Sequence, residues 1–509
     1  MSLRLYNTLT RTLEELHPRN PERVAMYCCG PTVYDVPHAG HARAALAPDI
    51  LVRRLRAQGH KVTYVRNITD VDDKILNRAA ERGQDPLELS QKMAVIYQEQ
   101  MRALGCLPPE HEPKVSEHLP QIIAMVEQLI AREHAYVVER PDGQRDVYFA
   151  VRSFGDYGKL SRRRIDDLMV GARIEKDELK RDPLDFALWK GALASEWGWD
   201  SPWGRGRPGW HIECSAMGKH YLGTLDVHAG GMDLIFPHHE NEIAQSEAAH
   251  PDCAPYASCW MHNGFVNVDK EKMSKSLGNF VTLSDVLERN DPEAFRYFLL
   301  SVHYRGPIQF DTTKLEDGRV VFPGVDEAEG RIDYLYAAMR RLAELGDVGM
   351  TVPAKLPAEL QSYREAVRKA LVEAEKGLDE DLNTPIALAA LGDVARLANE
   401  LADLAFKRRK DKAFAGSVAV VAREVQGVLR SLADQLGLLQ CPPAEYAART
   451  RARRLKLRGL TAERIDGLVA ARTAARAAKD FARSDALRDE LVSLGVVLKD
   501  GAEGTQWSL

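Results

Sequence analysis

Three clusters of side chains in this chain have the types and spacing of working groups. Residues 37–41 read PHAGH. They follow an apolar run and open a helical pattern, so unpaired N–H groups and the positive end of a helix dipole would attract phosphate there. Gly40 permits close approach, and His38 and His41 supply hydrogen-bond donors. Residues 272–276 read KMSKS, followed by LGN. Lys272 and Lys275 on a glycine-flanked loop suit the neutralisation of charge building on a leaving pyrophosphate. The third cluster is a donor set for a soft metal. Cys29 closes the first apolar run, Cys214 sits in GWHIECSAM, and His238 and Glu242 sit in FPHHENEIAQSEA. His238 and Glu242 are four apart and share a face if that segment is helical. Two thiols, an imidazole and a carboxylate suit tetrahedral zinc, although the spacing is not that of a zinc finger. On chemistry alone Cys28 competes with Cys29, and His239 with His238.

These groups need a scaffold to bring them together. Residues 24–35, VAMYCCGPTVYD, read as a buried strand ending in a Gly-Pro turn. From His38 to Gly59 the pattern is helical, with Leu46, Ile50, Leu51 and Leu55 on one stripe. Pro48 implies a kink or the start of a second helix. KVTYVRNI (61–68) reads as a second strand, so the unit is βαβ and the sheet parallel. Residues 118–133 read as helix. AYVVE and DVYFAV flank PDGQR as a hairpin, which belongs to no parallel sheet and marks roughly 120–205 as an insertion. The αβ pattern resumes at 206–268. From about 326 a helical bundle is expected, with Thr384 as N-cap of one helix and Pro385 at its first position. QCPPAEYAAR (440–449) reads as a linker. A last unit of two helices and two short strands, VVLKDG and GTQW, follows it.

The chain has 509 residues, too many for one core. With 45% hydrophobic and 28% charged residues it is neither disordered nor membrane-spanning in composition. The start lacks a signal-peptide core, and seven scattered cysteines imply no disulfide framework, so the expectation is a cytoplasmic protein with no membrane partner. The net charge of −5 leaves nucleic-acid binding to local patches. RARRLKLR (451–458) and KRRKDK (407–412) are two such runs, each equally readable as a solvated helix face. Trp507 suits either stacking on an unpaired base or capping a small core.

PHAGH followed far downstream by KMSKS resembles the signature of class I aminoacyl-tRNA synthetases, with Ala39 where His-Ile-Gly-His is usual. MYCCGPTVYD, YVRNITDVDDKI, RDPLDFALWK, GWHIECSAM and HAGGMDLIFPHHENEIAQSEA narrow the resemblance to the cysteinyl-tRNA synthetase family. Cys28 and Ala229 are local departures from that family. The resemblance implies an α/β class I Rossmann-like catalytic domain in two halves, 1–119 and 206–270. A connective subdomain would be inserted at 120–205, and 271–325 would carry the KMSKS loop and stem contacts. A helical tRNA-binding bundle at 326–440 and a small mixed α/β anticodon-binding domain at 441–509 would follow. It places one zinc on Cys29, Cys214, His238 and Glu242. It implies ATP with Mg²⁺ near His38, Gly40, His41, His228 and Lys275, and assigns Asp233 to the substrate ammonium. Trp210, four before Cys214, and Thr69, at the end of the second strand, suit the amino-acid pocket or a core equally. The implied reaction is cysteine activation as the adenylate and transfer to the terminal adenosine of tRNA(Cys), by a monomer. Cysteine ligases of mycothiol synthesis share the front half, and a degenerate synthetase acting as an RNA-binding protein is the other alternative.

Overall fold

The structure is a computed structural model that describes residues 2–164, 179–268, 271–272, 281–316, 318–346, 356–501 and 504–509. Its centre is a four-stranded parallel sheet. Ala257–Asn263 pairs with Leu225–Gly231, which pairs with Arg23–Cys28, which pairs with Lys61–Arg66. The strands are near-continuous apolar runs because the sheet is covered on both faces. Along the first of them Val24, Met26 and Cys28 enter one core, while Ala25 and Tyr27 enter a second. The first core holds the helix Ala39–Ala57 and the bundle; the second holds the helices Trp210–Leu222 and Glu240–Ala249 and the inserted sheet. From Arg23–Cys28 the chain crosses to one neighbour, and from Leu225–Gly231 to the other. The carboxyl ends of these two adjacent strands therefore flank a topological switch point, where open αβ sheets bind ligands.

Pro48 neither starts a second helix nor ends the first: Ala39–Ala57 is one helix with Pro48 inside it. The insertion follows the helix Leu119–Ala131 as an antiparallel meander, Ala135–Glu139, Arg145–Phe149, Phe186–Gly191 and Gly206–Pro208. Its sheet thus ends at Pro208, three residues past the expected end of the insertion at 205. Arg140 N donates to Gln144 O at 2.7 Å and Gly143 takes φ 79°, which closes the predicted hairpin.

Four long helices, Pro323–Gly346, Ala358–Asp379, Thr384–Lys407 and Lys412–Leu436, form the bundle. Asn383, not Thr384, is the N-cap of the third, because the Thr384 hydroxyl is drawn away to Leu300 O at 2.7 Å. The expected linker is a correction of more weight. Residues 443–457 are helix, with Pro443 in the first turn, and Tyr446 stacks on Tyr336 of the bundle at 3.9 Å and 10°. Ala462–Ala477, Phe481–Ser493 and the hairpin Val497–Gly501/Gly504–Ser508 complete that unit, so it has three helices rather than two. Among the described residues no helix is long and apolar enough to cross a membrane.

Candidate active site and metal centre

Cys29 lies one residue beyond the first core strand and extends its pairing, with Cys29 N donating to Ala229 O at 3.2 Å. The turn that follows must be glycine. A Cβ on Gly30 would stand 1.6 Å from Asn67 O, and Gly30 N donates to Asn67 Oδ1 at 2.8 Å. Cys214 comes from the second turn of Trp210–Leu222 and is 1% exposed. His238 and Glu242 do not share one α-helix. His238 sits in a single π-turn, Ile235–His239, that runs into Glu240–Ala249, yet the two side chains still meet, His238 Nε2 lying 3.1 Å from Glu242 Oε1.

All four donor atoms fall within 4.8 Å of one another. A tetrahedral ion with bonds of about 2.3 Å to sulfur and about 2.0–2.1 Å to nitrogen or oxygen would have edges of roughly 3.8 Å (S–S), roughly 3.5 Å (S–N) and roughly 3.3 Å (N–O). The corresponding separations are 3.6 Å between Cys29 and Cys214, 3.4 Å between Cys29 and His238, and 3.1 Å between His238 and Glu242. Cys29 to Glu242 Oε1 is 3.2 Å. The residues fit zinc. Electrostatics points the same way. Fully deprotonated, the two thiols and the carboxylate bring three negative charges into a buried site, which a cation held among them would offset. Without one the cluster shares its protons. The bond from Cys29 draws the Cys214 thiol down to about 6 against the effect of burial, while burial and the neighbouring Cys214 push Cys29 well up. Burial alone would lower His238, but Glu242 and Cys214 hold it at about 10. Burial alone would raise Glu242, but His228 and His238 bring it to about 2.

The competing donors are sorted by their surroundings. Cys28 points into the opposite core, where burial pushes its thiol up to about 12. A rival grouping of Cys29, His228, His239 and Glu242 also lies within 4.8 Å. It has one thiol instead of two, its Cys29–His228 separation is 4.0 Å, and His239 Nδ1 is already engaged with His262 Nε2 at 2.8 Å. The softer set is the better thiophilic site.

Above this cluster opens a cleft of about 390 Å³. His38, Gly40, His41, Trp210 and Asp233 are among the residues that line it. His38 is the N-cap of Ala39–Ala57: its Nδ1 accepts from Gly40 N at 3.1 Å, and His41 Nδ1 accepts from His38 N at 3.1 Å. Both Nδ1 atoms being acceptors, each neutral ring carries its proton on Nε2. Trp210 stacks on His238 at 4.3 Å and 27°, so it forms cleft wall and metal-site cover at once. Lys272 ends a two-residue strand paired with Asn267, and Thr282 bridges to His38 while Leu283 N donates to Pro37 O at 2.8 Å. The described residues on either side of KMSKS are thus tied to the cleft. Lys275 lies outside the described residues.

Two expected contacts are not cleft residues. The His228 side chain is 0% exposed, and its Nε2 bonds Glu242 Oε2 at 2.9 Å, against one of the four clustered donors. Thr69 is 1% exposed and belongs to a buried chain: Asn67 Nδ2 donates to Thr69 Oγ1 at 3.1 Å, and Thr69 Oγ1 to Glu213 Oε2 at 3.4 Å. That chain, through Asn67, holds the Gly30 turn. Sequence reading passed over Asn67, Glu213 and His211. His211 Nδ1 is 3.0 Å from His238 Nδ1. Burial and His238 hold His211 far below its usual range, so its neutral Nδ1 accepts a hydrogen bond from His238 Nδ1–H and leaves His238 Nε2 toward the donor cluster. Its place three residues before Cys214, on the same helix face, was the available signal.

A profile described as the class I (C) tRNA synthetase catalytic domain matches residues 15–320, a DALR-domain profile matches 374–440, and one for the cysteinyl-tRNA ligase anticodon binding domain matches 458–507. A cysteine–tRNA ligase of Anaeromyxobacter dehalogenans is 49% identical over 513 residues, covering 100% of both chains. One of Thioalkalivibrio sulfidiphilus is 46% identical over 99% of both, and one of Geobacter metallireducens is 46% identical over 100% of both. Methionyl-tRNA synthetase of Mycobacterium tuberculosis in complex with methionyl-adenylate has the same fold, with a TM-score of 0.61 at 16% identity over 87% of this chain and 95% of that one. A cleft at the switch point flanked by PHAGH and the flanks of KMSKS, over a two-thiol donor set and within a full-length match, places the chain in the cysteine–tRNA ligase family of class I synthetases.

Proposed function

We propose that the chain activates cysteine with ATP and charges tRNA(Cys), recognising its amino acid by the sulfur. The observation that carries this reading is the convergence of Cys29, Cys214, His238 and Glu242 beneath the cleft. Zinc held by these four would supply a thiolate-selective contact, which an apolar wall cannot: a pocket separates near-isosteres such as cysteine and serine by only roughly 100-fold. His211 and His228 orient two of the ligands. Trp210 closes the side-chain pocket, and Asp233 at its rim takes the ammonium.

The nucleotide lies along PHAGH. The Nε2–H groups of His38 and His41 and the N-terminus of Ala39–Ala57 face its phosphates, with Mg²⁺ accompanying the ATP. The cysteine carboxylate attacks the α-phosphorus, and pyrophosphate leaves toward Lys272 and Lys275. The terminal ribose hydroxyl of tRNA then attacks the adenylate carbonyl and AMP leaves. No side chain forms a covalent intermediate; the protein positions reactants and stabilises charge. The anticodon-domain match at 458–507 supports tRNA as the acceptor over an amino sugar.

The test is cysteine-dependent pyrophosphate–ATP exchange, with serine as control, together with charging of tRNA(Cys) and elemental analysis. Exchange with cysteine alone, charging of tRNA and one zinc per chain are expected. A metal-free protein that still rejects serine would overturn the sulfur-recognition argument.

A further inference from the structure

The basic run RARRLKLR has the composition of a phosphate-binding strip, but Arg453 and Arg454 within it, and Arg449 just before it, are already engaged. Arg449 Nε donates to Asp291 Oδ2 at 2.9 Å, and Arg453 reaches the same oxygen at 3.0 Å. Arg453 also meets Glu329 Oε1 at 2.7 Å. Arg454 bridges Glu329 at 2.9 Å and Asp333 at 2.6 Å, and donates to Leu509 O at 2.9 Å. Two of the three acceptors are inside the protein: side-chain exposure is 0% for Asp291 and 9% for Glu329, against 12% for Arg453, while Asp333 lies nearer the surface at 38%.

These groups join three parts of the molecule. Asp291 caps the helix Pro292–Leu300 and follows Leu283–Arg289, the first helix after KMSKS among the described residues. Glu329 and Asp333 belong to the first bundle helix, and the arginines to the first helix of the C-terminal unit. Asn290 Nδ2 and Asp291 N both donate to Glu329 Oε2, at 3.1 and 3.2 Å, so the carboxylates are themselves held in place. Tyr446 OH on Asp333 at 2.7 Å closes the contact.

We propose that Arg449, Arg453 and Arg454 are positioning residues: with Asp291, Glu329 and Asp333 they form a latch that sets the C-terminal unit for tRNA, and they do not themselves bind phosphate. This rests on the reading of the chain as a tRNA ligase. The two roles differ in what the acidic partners do. If the arginines met phosphate, removing a neighbouring carboxylate charge would leave RNA affinity unchanged or improve it. If they form a latch, neutralising the acid unseats the unit just as removing the arginine does. The apparent affinity then falls in proportion to the fraction of molecules still in the competent arrangement.

The experiment uses the full chain with Asp291→Asn, Glu329→Gln, Arg453→Ala and Arg453→Lys. Asparagine keeps the helix cap that Asp291 provides. Pyrophosphate exchange, kcat and KM for tRNA, and the salt dependence of tRNA binding are measured. Both acid variants and Arg453→Ala should raise KM for tRNA about tenfold, with exchange and kcat within about twofold of the parent. Arg453→Lys, which keeps the charge but not the two-pronged contact, should fall between. The slope of log affinity against log salt should stay at the parent value, because no phosphate contact is lost. Acid variants with unchanged or lowered KM overturn the latch. So does an Arg453→Ala slope shallower by about 0.7–0.9, the mark of one lost phosphate contact. Loss of exchange in Asp291→Asn would overturn the division of labour, since the hub would then carry the catalytic fold itself. A parent protein that charges no tRNA would instead refute the functional reading.

Discussion

His228 offers the sharpest separation between a nucleotide contact and a support for the metal site. Its Nε2 lies 2.9 Å from Glu242 Oε2, and neither side chain has any exposure. The other carboxylate oxygen, Oε1, faces Cys29 at 3.2 Å and His238 at 3.1 Å. His228 therefore fixes which oxygen of Glu242 is offered to the donor cluster. The substitution His228→Phe removes the N–H while keeping an aromatic ring against Trp260, on which His228 stacks at 4.7 Å and 25°. What is lost is a hydrogen bond to a buried charge, about 1.5–3 kcal/mol. Converted at about 1.4 kcal/mol per decade, that is roughly 10- to 100-fold, the range typical of losing an outer-shell partner of a metal ligand. The assay is competition for zinc between the protein and a chromophoric chelator, run without substrates, beside the KM for ATP in pyrophosphate exchange. Zinc affinity should drop 10- to 100-fold by that estimate, with KM for ATP unchanged. Zinc affinity within about twofold of the parent, with a raised KM for ATP, would refute the reasoning and return His228 to the nucleotide.

Gly30→Ala forces a Cβ to within 1.6 Å of Asn67 O, so the Cys29 turn or the end of the second core strand must move. The cost should reach or exceed ~3 kcal/mol, read as a lower Tm together with reduced zinc content; an unchanged Tm would contradict the close approach. Asp49 is buried against Arg296 and Arg53; burial raises its pKa, but the two arginines outweigh it and hold it below the usual carboxylate range. Its folded pKa lying below its unfolded value of about 3.9, its contribution is complete above that value and is lost as pH falls through the folded one. Asp49→Asn should therefore cost about 3–5 kcal/mol at pH 7 by leaving Arg296 unpaired. The gap to the parent should narrow in urea melts near pH 3, and a gap independent of pH would exclude the ion pair as its source. Lys275→Ala should slow single-turnover adenylate formation while leaving cysteine binding intact, since a lysine meeting transition-state charge acts on kcat; equal rates would remove it from the reaction.

What the sequence made legible follows the range of the interaction involved. VAMYC and KVTYV announced buried parallel strands because a strand covered on both faces needs an unbroken apolar run. The donor set was legible as residue types, but the choice of His238 over His239 came only with the family resemblance, not from the residues themselves. The two are adjacent, and the turn that aims them depends on Phe236, whose φ −141° and ψ 131° interrupt the helical path, and on His262, 23 residues away, which engages His239. Local pattern also misread 440–449: two prolines and polar residues suggested a linker, although Pro at the first turn is equally a helix start. The basic run failed for a different reason. Composition counts charges but does not pair them, and the carboxylates that meet Arg449, Arg453 and Arg454 lie 121 to 162 residues earlier in the chain. Only the fold brings them together. The same limit applies to Trp507, which the sequence offered as a base-stacking platform. In the structure its Nε1 donates to Asp466 at 2.6 Å and Arg451 covers its ring at 3.6 Å. A ring stacking on that face would first have to displace Arg451, whose Nη2 also lies 3.7 Å from Asp466 Oδ1, so composition alone could not show that the platform is already covered.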